Sequence, residues 1–359
     1  MTVKNKVNFW QELHKPFFCL APMADVTDIA FRAMLAKYGK NALNKNQVVF
    51  WTEFVSADGL CNPVGRKHLA HILKFSKIEK PIVAQVFGAN PENMEKACRL
   101  ISKLGFDGID INMGCPDKSV VRQGAGSALI RTPALAREII RSAIAGANGL
   151  PVSVKTRVGF NKDELDTWIP ELLKEDISAI TIHARTKKQM SKVPADWNYV
   201  RRVVEMVKKD RQSHFAEASR DKEILVIGNG DIKSIKEAKE KIKETSCDGV
   251  MVGRGVFGNP WFFSGITPPY HLPSKTQDSS LEKEEIQWIL SKIKALIEHI
   301  KIFDKKLLRT KDKTFSVMKK HFKAYVNGFD GAKELRNKLM ETETPKEALA
   351  VLTTFQKTL

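Results

Sequence analysis

The stretch PIVAQVFGANPENMEKACRLISKLGFDGIDIN, residues 81–112, holds one strand–helix–strand unit. Its ends, PIVAQVFG (81–88) and DGIDIN (107–112), are short apolar runs of strand length. Between them, NPENMEKACRLISKLG has helical periodicity, with Asn90 as the N-cap and a proline at the first helical position. The alternation recurs on both sides. Further candidate strands are FFCLAP (17–22), QVVFWTE (47–53), PVSVKT (151–156), AITIHA (179–184), ILVIGN (224–229) and DGVMVG (248–253). TPALAREIIRSAIAG supplies another helix, with Thr132 as cap and Pro133 following it. Eight strands separated by helix-length segments over roughly 250 residues predict a (β/α)8 TIM barrel. The competing architecture is a doubly wound sheet, and no GxGxxG follows the first strand to favour it.

SGITPPYHLPSKTQDSS (264–280) is rich in Pro, Ser and Thr and reads as a linker. Residues 281–359 show helical periodicity, as in IQWILSKIKALIEHI, and no strand signal. The expected organisation is a barrel domain over 1–263, the linker over 264–280, and a C-terminal all-helical domain over 281–359.

With 43% hydrophobic residues in 359, the chain can bury a sizeable core, which argues against disorder. Its 59 Lys and Arg against 41 Asp and Glu leave a net charge of +18, which favours a polyanionic partner: nucleic acid, or an acidic membrane surface. Between Lys301 and Lys338 twelve basic residues face four acidic ones. Taken alone, such a run reads as a solvated helix face. Cys19, Cys61, Cys98, Cys115 and Cys247 are odd in number, scattered and without a CxxC pair. That pattern argues against a disulfide framework or a metal site and fits a reducing compartment. No apolar run is long enough to span a bilayer, and the first twenty residues lack a long apolar signal region. The expectation is a soluble, cytoplasmic protein.

In a barrel, functional groups collect at the C-terminal ends of the strands. Here those ends carry APMADVTD, Thr52-Glu53, Gln85, Asn112 with Gly114-Cys115-Pro116, Lys155 with Arg157, His183 with Arg185, GNGD and GRG. Singly, Lys155 could be a surface lysine, His183 a hydrogen-bonded core residue and Gln85 a rim group; chance placement of all of them at strand ends is a poor explanation. Gly228, Gly230, Gly253 and Gly255 flank the last two strands, where barrels bind phosphate through backbone N–H groups, with Arg254 adding charge. Cys115 lies in a loop with Gly114, Pro116, Gly124 and Gly126. Its thiol could donate a proton or, if activated, act as a nucleophile.

Taken together, APMADVTDIAFR, WTEFVS, DGIDINMGCP…GAGSALI, VSVKTRVGF, TIHART, GNGDI, DGVMVGRG and the C-terminal MKKHFKAYVNGFDGAKELRNKL resemble the tRNA-dihydrouridine synthases, in that family's order. The resemblance implies an FMN-bearing barrel, a helical tRNA-binding tail, and NADPH-dependent reduction of a uracil 5,6-double bond. It implies Cys115 as the acid that protonates C5 and Pro22 and Met23 as packing near the flavin ring. Gln85 would bond the ring's pyrimidine edge, and Lys155 and His183 would hold the flavin from strands five and six. Asn229, Gly230, Asp231, Gly253 and Arg254 would surround the phosphate, and Asn112 and Arg185 would face the base or ribose. Lys319, Lys320, His321 and Lys323 would lie along one tRNA-facing surface, with Arg309 and Lys313 as weaker members. Lys319 stands where the family more often has Arg, keeping the charge but giving up bidentate phosphate recognition. Two other functions are compatible with parts of the chain. One is an FMN barrel oxidoreductase acting on a small free substrate; the other is a non-catalytic RNA-binding protein of this fold.

Overall fold

The computed structural model describes residues 8–39, 47–214, 223–265 and 279–359. The strands are β1 (Phe17–Leu20), β2 (Val48–Ser56), β3 (Ile82–Phe87), β4 (Gly108–Met113), β5 (Val152–Arg157), β6 (Ala179–His183), β7 (Leu225–Asn229) and β8 (Gly249–Val252). Each pairs in parallel with its successor, and β8 closes on β1 with Phe18 opposite Val250. The result is a closed eight-stranded barrel. Helices α1 (Ile29–Gly39), α2 (Ala57–Cys61), α3 (Pro63–Leu69), α4 (Pro91–Ile101), α5 (Lys118–Arg122), α6 (Pro133–Gly146), α7 (Leu165–Leu173), α8 (Asn198–His214) and α9 (Ile235–Thr245) fill the connections. Asn90 caps α4 by accepting from the Asn93 N–H at 3.0 Å. Thr132 departs from expectation: its side chain makes no capping hydrogen bond, so α6 starts on the fixed φ of Pro133 alone.

Alternation along the strands sorts the core into two layers. Phe17, Cys19, Val49, Trp51, Val83, Ala179, Leu225, Ile227 and Met251 point into the barrel, and Phe9 and Trp10 of an N-terminal 3-10 turn join them. The intervening residues, among them Phe18, Phe50, Ile82, Ala84, Ile109, Ile111, Val154, Ile180 and Val250, pack outward among the helices. With the same parity, at the C-terminal ends of the strands, stand Gln85, Asn112, Lys155, His183, Asn229 and Gly253. The candidate site is therefore the top layer of a filled barrel interior.

β2 runs on to Ser56 with a register shift between Trp51 and Phe54, three residues past the expected end. The irregularity re-aims the end of the strand. Phe54 comes to line the barrel mouth, while Glu53 turns away and is buried.

The C-terminal helices are α10 (Ser279–Phe303), α11 (Met318–Tyr325), α12 (Ala332–Glu341) and α13 (Pro345–Gln356). They surround Ile293, Leu296, Phe303, Phe322, Leu339 and Leu352, and that core also takes in Ile29, Ala30 and Met34 of α1. The tail thus packs directly on the barrel's first helix. The expected linker lies outside the described residues apart from its two ends. Among the described residues no helix is long and apolar enough to cross a membrane.

Candidate active site at the barrel mouth

A cavity of about 230 Å³ opens at the C-terminal ends of the strands. Pro22, Met23, Asn112, Cys115, Lys155, His183, Arg185, Asn229, Gly230, Asp231, Gly253 and Arg254 all line it, so twelve of the expected barrel residues meet at one place. Four cations line it (Lys155, Arg157, Arg185 and Arg254) against one carboxylate, Asp231. An anionic ligand suits such a donor set.

The anion side is organised by Asp231, whose backbone is left-handed at φ 55. Its carboxylate accepts from the Ala195 N–H at 2.9 Å, from Arg254 at 2.8 Å, and from Arg185. Burial works to raise its pKa, but these partners outweigh burial and hold it below the usual carboxylate range. Arg185 was expected at the substrate; it is buried and committed to Asp231, to the Val193 carbonyl at 2.6 Å and to His183 at 3.2 Å. Since a guanidinium only donates, His183 Nε2 accepts and its ring proton sits on Nδ1. Burial, then Lys155 and the three arginines, push the His183 pKa well down, so the ring is neutral. Gly230 has φ 143, and a Cβ there would approach Ala195 Cβ to 2.6 Å, so this turn requires glycine.

Lys155 donates to Asn229 Oδ1 at 3.2 Å, and Asn229 is fixed from its other end by the Met251 carbonyl at 2.8 Å. Burial and the neighbouring Arg157 lower the Lys155 pKa to about 8. Arg157, which the sequence places at the end of strand five without a role, gains one here. It donates to the Gly114 carbonyl at 2.8 Å and to the carbonyls of Thr186 and Met190 at 3.1 Å each, tying the cysteine loop to the β6 loop. It shares the parity of Lys155 along β5.

Below the cavity a polar chain leads to the cysteine. Asp110, fully buried, accepts from Ser153 Oγ at 2.6 Å and from Gln85 Nε2 at 2.7 Å. Gln85 Oε1 therefore faces Asn112 Nδ2 at 2.9 Å, and Asn112 Oδ1 accepts the N–H groups of Gly114 and Cys115 at 3.1 and 2.9 Å. Each amide is oriented by the one before it. Gln85 itself is fully buried and is not among the residues that line the cavity; its Nε2 is engaged by Asp110 and its Oε1 by Asn112. Burial raises the Asp110 pKa to about 6. Cys115 is half-buried, and burial pushes its thiol up against the pull of Arg157 and Lys155, so it is protonated at neutral pH.

The tail residues divide. Lys320 and Lys323 are exposed on α11, while Lys319 beside them is part-buried and paired with Glu343 at 2.7 Å. His321 does not belong to that surface. It is fully buried against Phe31, Phe257 and His299, because position 321 falls on the core side of the helix. Arg309 is exposed and paired with Asp304, and Lys313 is buried against Glu53. Among the described residues no group of His, Cys, Asp or Glu is placed to hold a metal ion.

The model of the dihydrouridine synthases matches residues 19–359. The chain belongs to the dihydrouridine synthase family. It is 38% identical to a probable tRNA-dihydrouridine synthase of Staphylococcus aureus (strain MRSA252), over 98% of this chain and 96% of that one. It is likewise 38% identical to probable tRNA-dihydrouridine synthase 2 of Bacillus subtilis (strain 168), over 98% and 97%. The family match takes in all the cavity-lining residues just described and runs on through the helical tail. As a dihydrouridine synthase, the chain is an oxidoreductase.

Proposed function

We propose that this dihydrouridine synthase reduces a uridine 5,6-double bond in tRNA, with FMN held at the barrel mouth and NADPH as reductant. One observation carries the reading: Cys115 and a four-cation ring share a single cavity at the strand ends. Arg254 and the Gly230 and Gly253 backbone would take the phosphate, with Asp231 holding Arg254 and Arg185 in place. Lys155, Asn229 and neutral His183 would face the ring system, and Pro22 and Met23 would pack on it. FMN held by these residues would supply the hydride chemistry of the reduction, at uracil C6. Cys115 supplies the other hydrogen, its S–H proton going to C5, and the thiolate recovers a proton from solvent. Asn112 faces the substrate while holding the Cys115 backbone, and Gln85 acts through Asn112.

The test is to incubate the flavin-loaded protein and NADPH with tRNA from cells lacking it and to map dihydrouridine. Reduction at a defined uridine, with free uridine untouched, is the expected result. Reduction of free uridine as fast as tRNA would favour the small-substrate enzyme. Flavin-loaded, NADPH-competent protein that forms no dihydrouridine in tRNA would overturn the reading.

A further inference from the structure

Lys313 comes from the turn between α10 and α11, yet its ammonium lies in the barrel's acidic lip. It stands 2.8 and 3.0 Å from the two Glu53 oxygens, 3.3 Å from Asp25 and 3.9 Å from Asp28. The side chains of Lys313, Glu53 and Asp28 are 6%, 5% and 1% exposed, so these three form a buried ionic cluster, with Asp25 exposed at its edge. Arg32, whose charge also acts on Asp28, is already committed to Glu79 at 2.6 Å. One turn residue earlier, Asp312 pairs with Lys74 at 2.8 Å, giving a second bridge of opposite polarity.

The partners of Lys313 belong to the segments that wall the cavity. Glu53 adjoins Phe54, and Asp25 follows Pro22 and Met23 in the loop after β1. Glu53 also accepts the Asp25 N–H at 2.5 Å and so supports that residue's left-handed backbone, φ 55. Away from the mouth, tail and barrel meet through apolar side chains of α1, which resist separation but discriminate poorly between small rotations, and through Lys37 and Tyr38, which both bond Glu298 of α10 at 2.6 Å at the far end of α1 from the lip. A buried ion pair adds little net stability over an apolar pair, and fixing register is its best-attested use.

We infer that Lys313 is a positioning residue: its seat against Glu53, Asp25 and Asp28 sets the register of the tail over the cavity mouth, and so which base of a tail-bound RNA enters. The inference rests on the reading of the tail as the RNA-bearing element. The experiment compares Lys313→Met, Lys313→Arg and the paired variant Lys313→Met/Glu53→Gln on full-length protein. The paired variant removes both charges of the ion pair, yet the amide oxygen at position 53 can still accept the Asp25 N–H, so it keeps the test valid where Lys313→Met folds poorly. With melting temperature and tRNA Kd at wild-type values, the paired variant should lose about 10–100-fold in dihydrouridine formation at the principal position, or spread reduction over several uridines. Lys313→Arg, which keeps the charge, should restore most of it. Wild-type turnover at the same single uridine in the paired variant would overturn the inference, as would a loss matched by an equal loss of tRNA affinity. Failure of the underlying RNA reading would show differently, as absence of saturable tRNA binding by the wild-type chain.

Discussion

Cys115 is protonated by its surroundings, with burial outweighing the pull of Arg157 and Lys155. A protonated thiol is what a general acid requires and what a nucleophile would have to lose. Cys115→Ala should therefore retain flavin and its reduction by NADPH while tRNA turnover falls about 10²–10⁴-fold; undiminished dihydrouridine formation would remove the residue from the chemistry. Lys155 supplies a pH dependence. Its folded pKa of about 8 lies below the ordinary lysine value, so the neutral form adds stability as pH rises between the two. Anion binding runs the other way, because the ligand prefers the charged lysine. Flavin affinity should fall as pH climbs past about 8 and should lose that dependence in Lys155→Met. A flat titration in the wild type across that range would mean Lys155 does not face the anion.

At the scale of elements, the cysteine loop is held from below by Asn112 and from behind by a close approach at Gly126. There φ is +60, and a Cβ would meet Val120 Cγ1 at 2.8 Å and the Cys115 carbonyl at 3.0 Å. Gly126→Ala should destabilise the protein by about 1–3 kcal/mol and slow tRNA reduction with flavin affinity unchanged, since the strain falls on the acid's own loop. Gly105 is the control: it has φ +85 but nothing within 4 Å, so Gly105→Ala should lower the melting temperature slightly and leave turnover alone. Equal turnover in the two variants would show that the loop tolerates displacement of Cys115. Much of this arrangement was legible beforehand, because strand ends and their glycines are local features. The Asp110–Gln85–Asn112 chain was not, because it needs the register of β3 against β4.

At the scale of the whole molecule, the basic run from Lys301 to Lys338 does not act as one surface. Lys313 turns inward to the barrel, Lys319 pairs with Glu343, Arg309 pairs with Asp304, and Lys320 and Lys323 remain exposed a turn apart on α11. Lys320→Glu with Lys323→Glu should weaken tRNA binding and make the slope of log affinity against log salt shallower by roughly 0.7–0.9 per lost phosphate contact. Flavin content and NADPH oxidation should be unchanged, since both residues lie outside the cavity. Wild-type affinity and slope would assign the pair to a solvated helix face.

The repeated strand–helix unit, the position of each strand and the grouping of Cys115, Lys155, His183 and the glycine pairs at strand ends were determined by the sequence itself. Hydrophobic period and turn chemistry act over a few residues and are written locally. The tertiary structure alone decided which charges are free and which are consumed. Lys313 meets Glu53 across 260 positions, Arg185 meets Asp231 across 46, and His321 is buried by α1 and α10 packing around it. A charge is committed by whatever folding brings within about 4 Å of it, and for Lys313 and Arg185 no short window along the chain contains that partner.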